Sequence, residues 1–336
     1  MNLGLRDVVL PPAQRRTLDE LTHDLDLRHG DRRSKYSAFW TMLGLSGIIA
    51  TAGVLADSTA TVIGAMIIAP LSTPIMAIAL GMVKRERIRA GRFVFFGALL
   101  VILIGVAFTY VVPGDIDVTG NSQISGRTSP TLLDLAAAIA TGFAGAVGLA
   151  RRDVAAVLPG VAIAISLVPP LAVVGVCLGE GEVGYALGAL LLFVSNLVSL
   201  VIAGTILFAA LGYSAEADQK AKRVGAGRRS YAALSFFLAL VLLPLAGNTF
   251  VGYLVNSWKH TVEHEARVWI AVVPGAEVLG VDLSLSGFVV NIRTPQEPPA
   301  TSELLEKLDG QVPGIPVVVD TTVGRSIDAG TIGEDG

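Results

Sequence analysis

Asp57-Ser-Thr-Ala-Thr-Val-Ile-Gly64-Ala-Met-Ile-Ile-Ala-Pro70-Leu-Ser-Thr-Pro74 has a counterpart later in the chain, Asp153-Val-Ala-Ala-Val-Leu-Pro-Gly160-Val-Ala-Ile-Ala-Ile-Ser166-Leu-Val-Pro169-Pro170. Aligning Gly64 with Gly160, an offset of 160 − 64 = 96, also places Asp57 on Asp153, Ile67 on Ile163, Leu71 on Leu167 and Pro74 on Pro170. Each copy is a long apolar run with proline near its middle. Proline there removes one helix hydrogen bond and clashes with the preceding turn. A bilayer has no water for the freed carbonyls, so such a break survives only where protein or a wet cavity surrounds it. Two matched breaks point to a transport site.

The surrounding chain fits a membrane setting. Of 336 residues, 52% are hydrophobic and 16% charged, and the formal net charge is −3. A soluble domain carries about 25% charged residues. Seven apolar runs, near 37–56, 60–82, 93–112, 131–150, 154–178, 184–211 and 231–255, are long enough to span a bilayer core of about 30 Å. Residues 1–31 hold no apolar core, so no cleavable signal peptide is expected. The single cysteine, Cys177, excludes an intrachain disulfide and reads as a packed apolar side chain.

Charge in the connections predicts orientation. Lys84, Arg85, Arg87, Arg89 and Arg92 follow the second span, Arg151 and Arg152 the fourth, and Lys220, Lys222, Arg223, Arg228 and Arg229 the sixth. The alternate connections are nearly free of Lys and Arg, with only Arg127 between Pro113 and Pro130. Cytoplasmic loops carry the excess of basic residues. The N-terminus is therefore expected inside the cell membrane of a multi-pass protein, and the C-terminal region outside. Each repeat holds three spans, so the second enters from the opposite side, giving an inverted 3+3 arrangement.

The expected domains are a basic N-terminal segment at 1–36, a first repeat at 37–112, a second at 131–211, and a loop with a seventh helix at 212–255. Within the first, Leu18, Leu21 and Leu25 share a helix face behind a Thr17/Glu20 capping box. That helix is expected to lie against the membrane or a partner. Residues 256–325 read as a small α+β domain of order α-β-β-β-α-β. Its helices are expected at Val255–Arg267 and Thr301–Leu308, the latter capped by Ser302. Its strands are expected at Val268–Val273, Leu279–Leu285, Phe288–Ile292 and Ile315–Asp320. The tail, 326–336, reads as disordered.

Candidate solute-binding residues flank the breaks: Gly64, Pro70, Ser72, Thr73 and Pro74 in the first copy, Gly160, Ser166, Pro169 and Pro170 in the second. A broken helix exposes amide donors on one half and carbonyl acceptors on the other. The alternative is a kink tolerated by neighbouring helices. Asn196, in the sixth span beside Ser195 and Ser199, either joins the site or makes an interhelical contact. No charged residue lies near a span centre, which disfavours a carboxylate proton relay. Asp57 and Asp153, at span ends, read as helix N-caps. The balance leans to an anion or a polar neutral solute, although carbonyls also suit Na⁺.

His260-Thr-Val-Glu263-His264 matches the H-x-x-E-H metallopeptidase pattern, but no third ligand is evident, so no metal site is assigned. Walker, dinucleotide-binding and nucleophile-elbow patterns are absent, so neither an enzyme nor a cofactor is expected. Basic loops are explained by topology and anionic lipid, without nucleic acid. Expected partners are the bilayer and a small solute or ion. Oligomeric state is open, a homo-oligomer included. The alternative function is a membrane scaffold or sensor that binds a partner through the C-terminal domain.

Ile63-Gly-Ala-Met-Ile-Ile-Ala-Pro-Leu-Ser-Thr-Pro-Ile75 and Gly160-Val-Ala-Ile-Ala-Ile-Ser-Leu-Val-Pro-Pro-Leu171 resemble the signatures of a prokaryotic family of hydrophobic multi-span membrane proteins of unknown function. The resemblance covers about residues 37–211. It implies a multi-span bacterial or archaeal membrane protein and no particular substrate. Many relatives carry a further N-terminal soluble domain that is not seen here.

Overall fold

The apolar runs fold as helices in a computed structural model that describes residues 10–86, 89–112, 116–118, 120–154, 167–220, 227–284 and 287–323. The chain forms two units, Met1–Asn248 and Thr249–Gly336.

In the first unit, α1 (Leu18–Leu25) and α2 (Arg32–Leu55) precede α3 (Thr59–Ile68) and α4 (Ser72–Val83). Then come α5 (Gly91–Val111), α6 (Ser122–Thr128), α7 (Leu132–Ala150), α8 (Val168–Gly179), α9 (Val183–Ala210) and α10 (Tyr213–Lys220). Among the described residues, α2, α5, α7 and α9 are each long and apolar enough to cross a membrane. The bent pair α3–α4 makes a fifth candidate. The expected fifth span is described only from Leu167 onward. The expected seventh falls within α11 (Gly227–Ile270), which contains Pro244.

Small residues set the closest helix approaches. A Cβ on Gly105 of α5 would stand 2.7 Å from the Gly175 Cα of α8. A Cβ on Gly142 of α7 would meet the Ala203 methyl of α9 at 2.7 Å, and one on Gly204 would meet Ala79 and Met76 of α4 at 3.0 Å. Helices in lipid gain attraction from such close packing, because burial of apolar surface drives nothing there. Thus α8 packs on α5, and α4 packs on α9.

The N-terminal helix departs from expectation. Thr17 and Glu20 do form the capping box: Thr17 Oγ1 accepts from the Glu20 amide at 3.2 Å, and Glu20 Oε2 accepts from the Thr17 amide at 2.9 Å. The buried face of Leu18, Leu21 and Leu25, however, joins the core of the same unit, and α1 packs on α4 and α10. Polar bonds tie this strap to three connections. Arg152 Nη2 donates to Glu20 Oε1 at 2.9 Å, Lys84 Nζ to Thr22 Oγ1 at 3.4 Å, and Tyr213 Oη to the Arg16 carbonyl at 2.7 Å. Arg15 bonds Glu216 at 3.0 Å and lies over the Tyr213 ring. The connections after α4, after α7 and after α9 therefore meet at α1. Asp24, against the opposing effect of burial, by the Arg16 guanidinium, and Glu20, by the Thr17 amide and then Arg152, are both held below the usual carboxylate range.

In the second unit, α11 continues through Ile270, so the strand expected at Val268–Val273 is not formed. Val262, Ala266, Trp269 and Ile270 recur at helical spacing and are all buried in one cluster with Phe288, Val290 and Ile292. That stripe outweighs the β propensity of the run. Three strands follow, β1 (Glu277–Ser284), β2 (Gly287–Thr294) and β3 (Val317–Val323), with α12 (Thr301–Leu308) between the last two. β1 pairs antiparallel with β2, with a bulge between Val278 and Gly280, and β2 pairs parallel with β3. Gly287, at φ 130°, opens β2, where a Cβ would strike the Pro316 carbonyl at 2.0 Å. Ser302 does not cap α12; the N-cap is Ala300, whose carbonyl accepts from Trp269 Nε1 at 3.2 Å. The tail expected to be disordered lies outside the described residues.

Candidate functional site

The first break follows from its sequence. Ala69, preceding a proline, is extended at φ −70°, ψ 123°. Pro70 has no amide to offer the Met66 carbonyl, which accepts from the Ala69 amide instead, at 3.4 Å. The Ala65 carbonyl loses its helical partner by this shift. Ser46 Oγ, on α2, donates to it at 2.8 Å. The chain turns αR at Leu71, the Thr73 amide bonds the Pro70 carbonyl at 3.3 Å, and α4 leaves at 50° to α3. Pro74 is the third residue of α4, where no intrahelical amide bond is needed.

The second copy is described from Leu167. Pro169 and Pro170 are the second and third residues of α8, the counterpart of Pro74's place in α4. The correspondence extends to element bounds. Ser72–Val83 shifted by 96 is 168–179, the extent of α8. Gly160 and Ser166 lie outside the described residues.

The candidates do not all gather. Pro74, Pro169, Pro170 and Asn196 are buried, while Pro70, Ser72 and Thr73 are half-buried around the first break. Gly64 stands apart, on an exposed face of α3 with Ile63 and Ile67, and a Cβ there would meet nothing within 4 Å. Ser195 and Ser199 bond back to carbonyls of their own helix, Leu192 at 2.8 Å and Ser195 at 2.7 Å. Ser46 is the residue that sequence reasoning missed. Its hydroxyl is one of several in the first apolar run, with Ser37, Thr41 and Thr51, so the residues alone do not single it out.

Asp57 acts differently from the expected cap, and the span that Asp153 was expected to cap begins outside the described residues. Ser58 caps α3 through the Thr61 amide. Asp57, at φ 47°, turns its side chain away from α3 and accepts from Ser122 Oγ at 2.7 Å and the Gln123 amide at 3.1 Å. Aspartate tolerates this left-handed backbone better than most residues. It therefore secures α6, whose own cap Asn121 donates to the Val54 carbonyl at 2.8 Å. The Ser122 bond, ahead of the Gln123 amide, holds the Asp57 carboxyl below its usual range. Arg151 grips Asp153 in a two-pronged pair at 3.0 and 2.7 Å and likewise holds it low.

In the second unit His260 and His264 line a polar hollow with Tyr253, Asn256, Glu265 and Gln311. No group of three metal-ligating side chains converges among the described residues.

Three comparisons complete the picture. The model of a domain of unknown function (DUF389) matches residues 66–202, a stretch that takes in every candidate residue except Gly64. An uncharacterized protein of Methanocaldococcus jannaschii is 32% identical over 176 residues, 52% of this chain and 54% of that protein. The chain spans about half the length of the curated relative it matches. No solved structure matches. The chain is thus similar to proteins of a family whose function is itself unknown.

Proposed function

We propose that the first unit is a multi-pass membrane transporter or channel for a small solute, bound where α3 gives way to α4 and at the equivalent point before α8. The carrying observation is the pair of twelve-residue helices with the same bounds at an offset of 96, the first of them entered through a real break. Each packs on the third long helix of the other repeat, α4 on α9 and α8 on α5, a reciprocity that supports an inverted 3+3 arrangement followed by a seventh span. Asn196 fits the same site. α4 and α9 both end beside α1, through the Lys84–Thr22 and Tyr213–Arg16 bonds, so they run the same way. Gly204 abuts Met76 and Ala79, and eight residues earlier on α9 is about 12 Å nearer the break. Hydroxyls, an amide and a half-helix N-terminus, without a carboxylate, favour an anion or a polar neutral solute. The gathering of three basic connections around α1 supports a cytoplasmic N-terminus in a cell membrane, with the second unit outside.

The test is flux of chloride, sulfate and glycerol into proteoliposomes. Ser72→Ala, Thr73→Ala and Asn196→Ala should each lower the transported solute's flux about tenfold or more in protein that still purifies folded, the loss expected when a polar ligand contact worth about 1.4 kcal/mol goes. Unchanged flux in all three removes the proposed site.

The scaffold or sensor reading has one observation in its favour. The second unit is a separate α+β fold with a polar hollow of its own, lined by His260 and His264. Deleting residues 256–336 separates the two readings: a transporter core retains flux, whereas a sensor loses its partner.

A further inference from the structure

Two hollows border the corner between α4 and α5. The first is polar and lies between α1 and α4. Its charged lining is Arg28, Lys84 and Arg89 against Asp26 and Glu86, an excess of one positive charge. Lys84 Nζ is 2.9 Å from Glu86 Oε2, and Arg28 Nε is 3.4 Å from Asp26 Oδ1. Arg89 is exposed at its rim. The second hollow is a groove between α5 and α9 lined by apolar residues alone, among them Ile78, Val94, Phe95, Phe193 and Leu197. The two are neighbours along the chain at two points, since Ala77 and Ala90 line the first and Ile78 and Gly91 the second.

We propose that the two hollows form one site for an anionic phospholipid, its phosphate held by Lys84 and Arg89 and an acyl chain lying along Phe95 and Phe193. Three features select this occupant. The cationic hollow sits just before α5, at the end of a helix long and apolar enough to cross a membrane, the level at which headgroups lie. The groove continues from there along the lipid-facing sides of α5 and α9, with Phe95 at 65% and Leu190 at 36% exposure. A soluble anion would leave that groove unused, and a neutral lipid would leave the positive excess uncompensated. Because α1 and α4 wall the polar hollow, a lipid there fastens the strap to the second half of the broken helix. The site requires only that α5 and α9 cross the membrane; it does not depend on solute transport.

The test uses the full-length protein in detergent. Thermal unfolding is followed while dioleoyl phosphatidylglycerol, dioleoyl phosphatidylcholine or inorganic phosphate is added. Phosphatidylglycerol should raise the midpoint saturably, and the other two should not. Arg89→Gln should weaken the apparent phosphatidylglycerol affinity about fivefold, and Lys84→Gln with Arg89→Gln about 25-fold, at roughly 1 kcal/mol per cation. Since Lys84 also bonds Thr22, the exposed Arg89 variant carries the test if the double variant fails to fold. Equal stabilisation by both lipids overturns the proposal, as does an unchanged affinity in Arg89→Gln. An equal effect of inorganic phosphate overturns it too, in favour of a free-anion site. A null result in the flux experiment leaves this binding in place.

Discussion

Ser46 Oγ donates a hydrogen bond of 2.8 Å to the carbonyl of Ala65, the group that the break at Pro70 deprives of its helical partner. A buried carbonyl left without a donor is costly in a membrane, and a hydroxyl from α2 meets that need. The same bond fixes α3 to α2 at the last turn before the chain bends.

Ser46→Ala should therefore lower stability by about 1 kcal/mol, within the range measured for interhelical bonds in membrane proteins. Thermal unfolding in detergent would register the loss. Ser199→Ala, which removes a hydroxyl bonded within α9, should cost less. Equal effects would mean that the Ala65 carbonyl finds another donor.

Two glycines should respond in opposite ways to alanine. Gly105→Ala drives a methyl into the Gly175 Cα at 2.7 Å and the Ala172 carbonyl at 2.8 Å. The helices α5 and α8 must separate, at a cost of about 1–3 kcal/mol. Gly64→Ala meets nothing within 4 Å and should be neutral or mildly stabilising, since alanine favours helix over glycine by up to about 1 kcal/mol. Unfolding midpoints of the two variants check the contrast.

The strap should respond to acid in a defined window. Glu20 has a folded pKa below its ordinary 4.5, first through the Thr17 amide and then through Arg152. A carboxyl lowered in the folded state contributes stability that is fully present above its unfolded pKa. That contribution is lost as pH falls through the folded value. The strap should thus stay docked at pH 7 and pH 5 and loosen only below about 4.5. Hydrogen exchange in α1, corrected for intrinsic rate, should accelerate in that lower range. Acceleration already between pH 7 and pH 5 would point to a different group.

Orientation can be read with thiol reagents. Cys177 is fully buried in α8, so the wild-type chain should label poorly. In a Cys177→Ser background, Arg33→Cys should label in intact cells only with a permeant reagent. Glu180→Cys should label with an impermeant one. The reverse pattern would invert the topology.

Much of this architecture is legible in the residues. The apolar runs near 37–56, 93–112, 131–150 and 184–211 become α2, α5, α7 and α9, because length and hydropathy decide which segments form membrane-crossing helices. Proline at 70 marks the break for a local reason, its missing amide and its ring. In the second unit, by contrast, Val268–Ile270 reads as strand locally and is helix in the fold. Burial against Phe288 and Val290 overrides β propensity there, and those partners lie some twenty residues away in sequence.

What the sequence determined by itself is whatever depends on neighbours along the chain: where helices run, where proline interrupts one, and that two such stretches match at an offset of 96. What only the tertiary structure decided is which distant groups complete those stretches. Ser46 supplies the donor that Ala65 lacks, Asp57 turns from its own helix to secure α6, and the leucines of α1 bury in the chain's own bundle. The first and the last answer a local deficit, an unpaired carbonyl and an apolar stripe, and Asp57 adds a second acceptor to an amide that Asn121 already caps. The chain can state such a deficit locally, but the partner that meets it is chosen by packing.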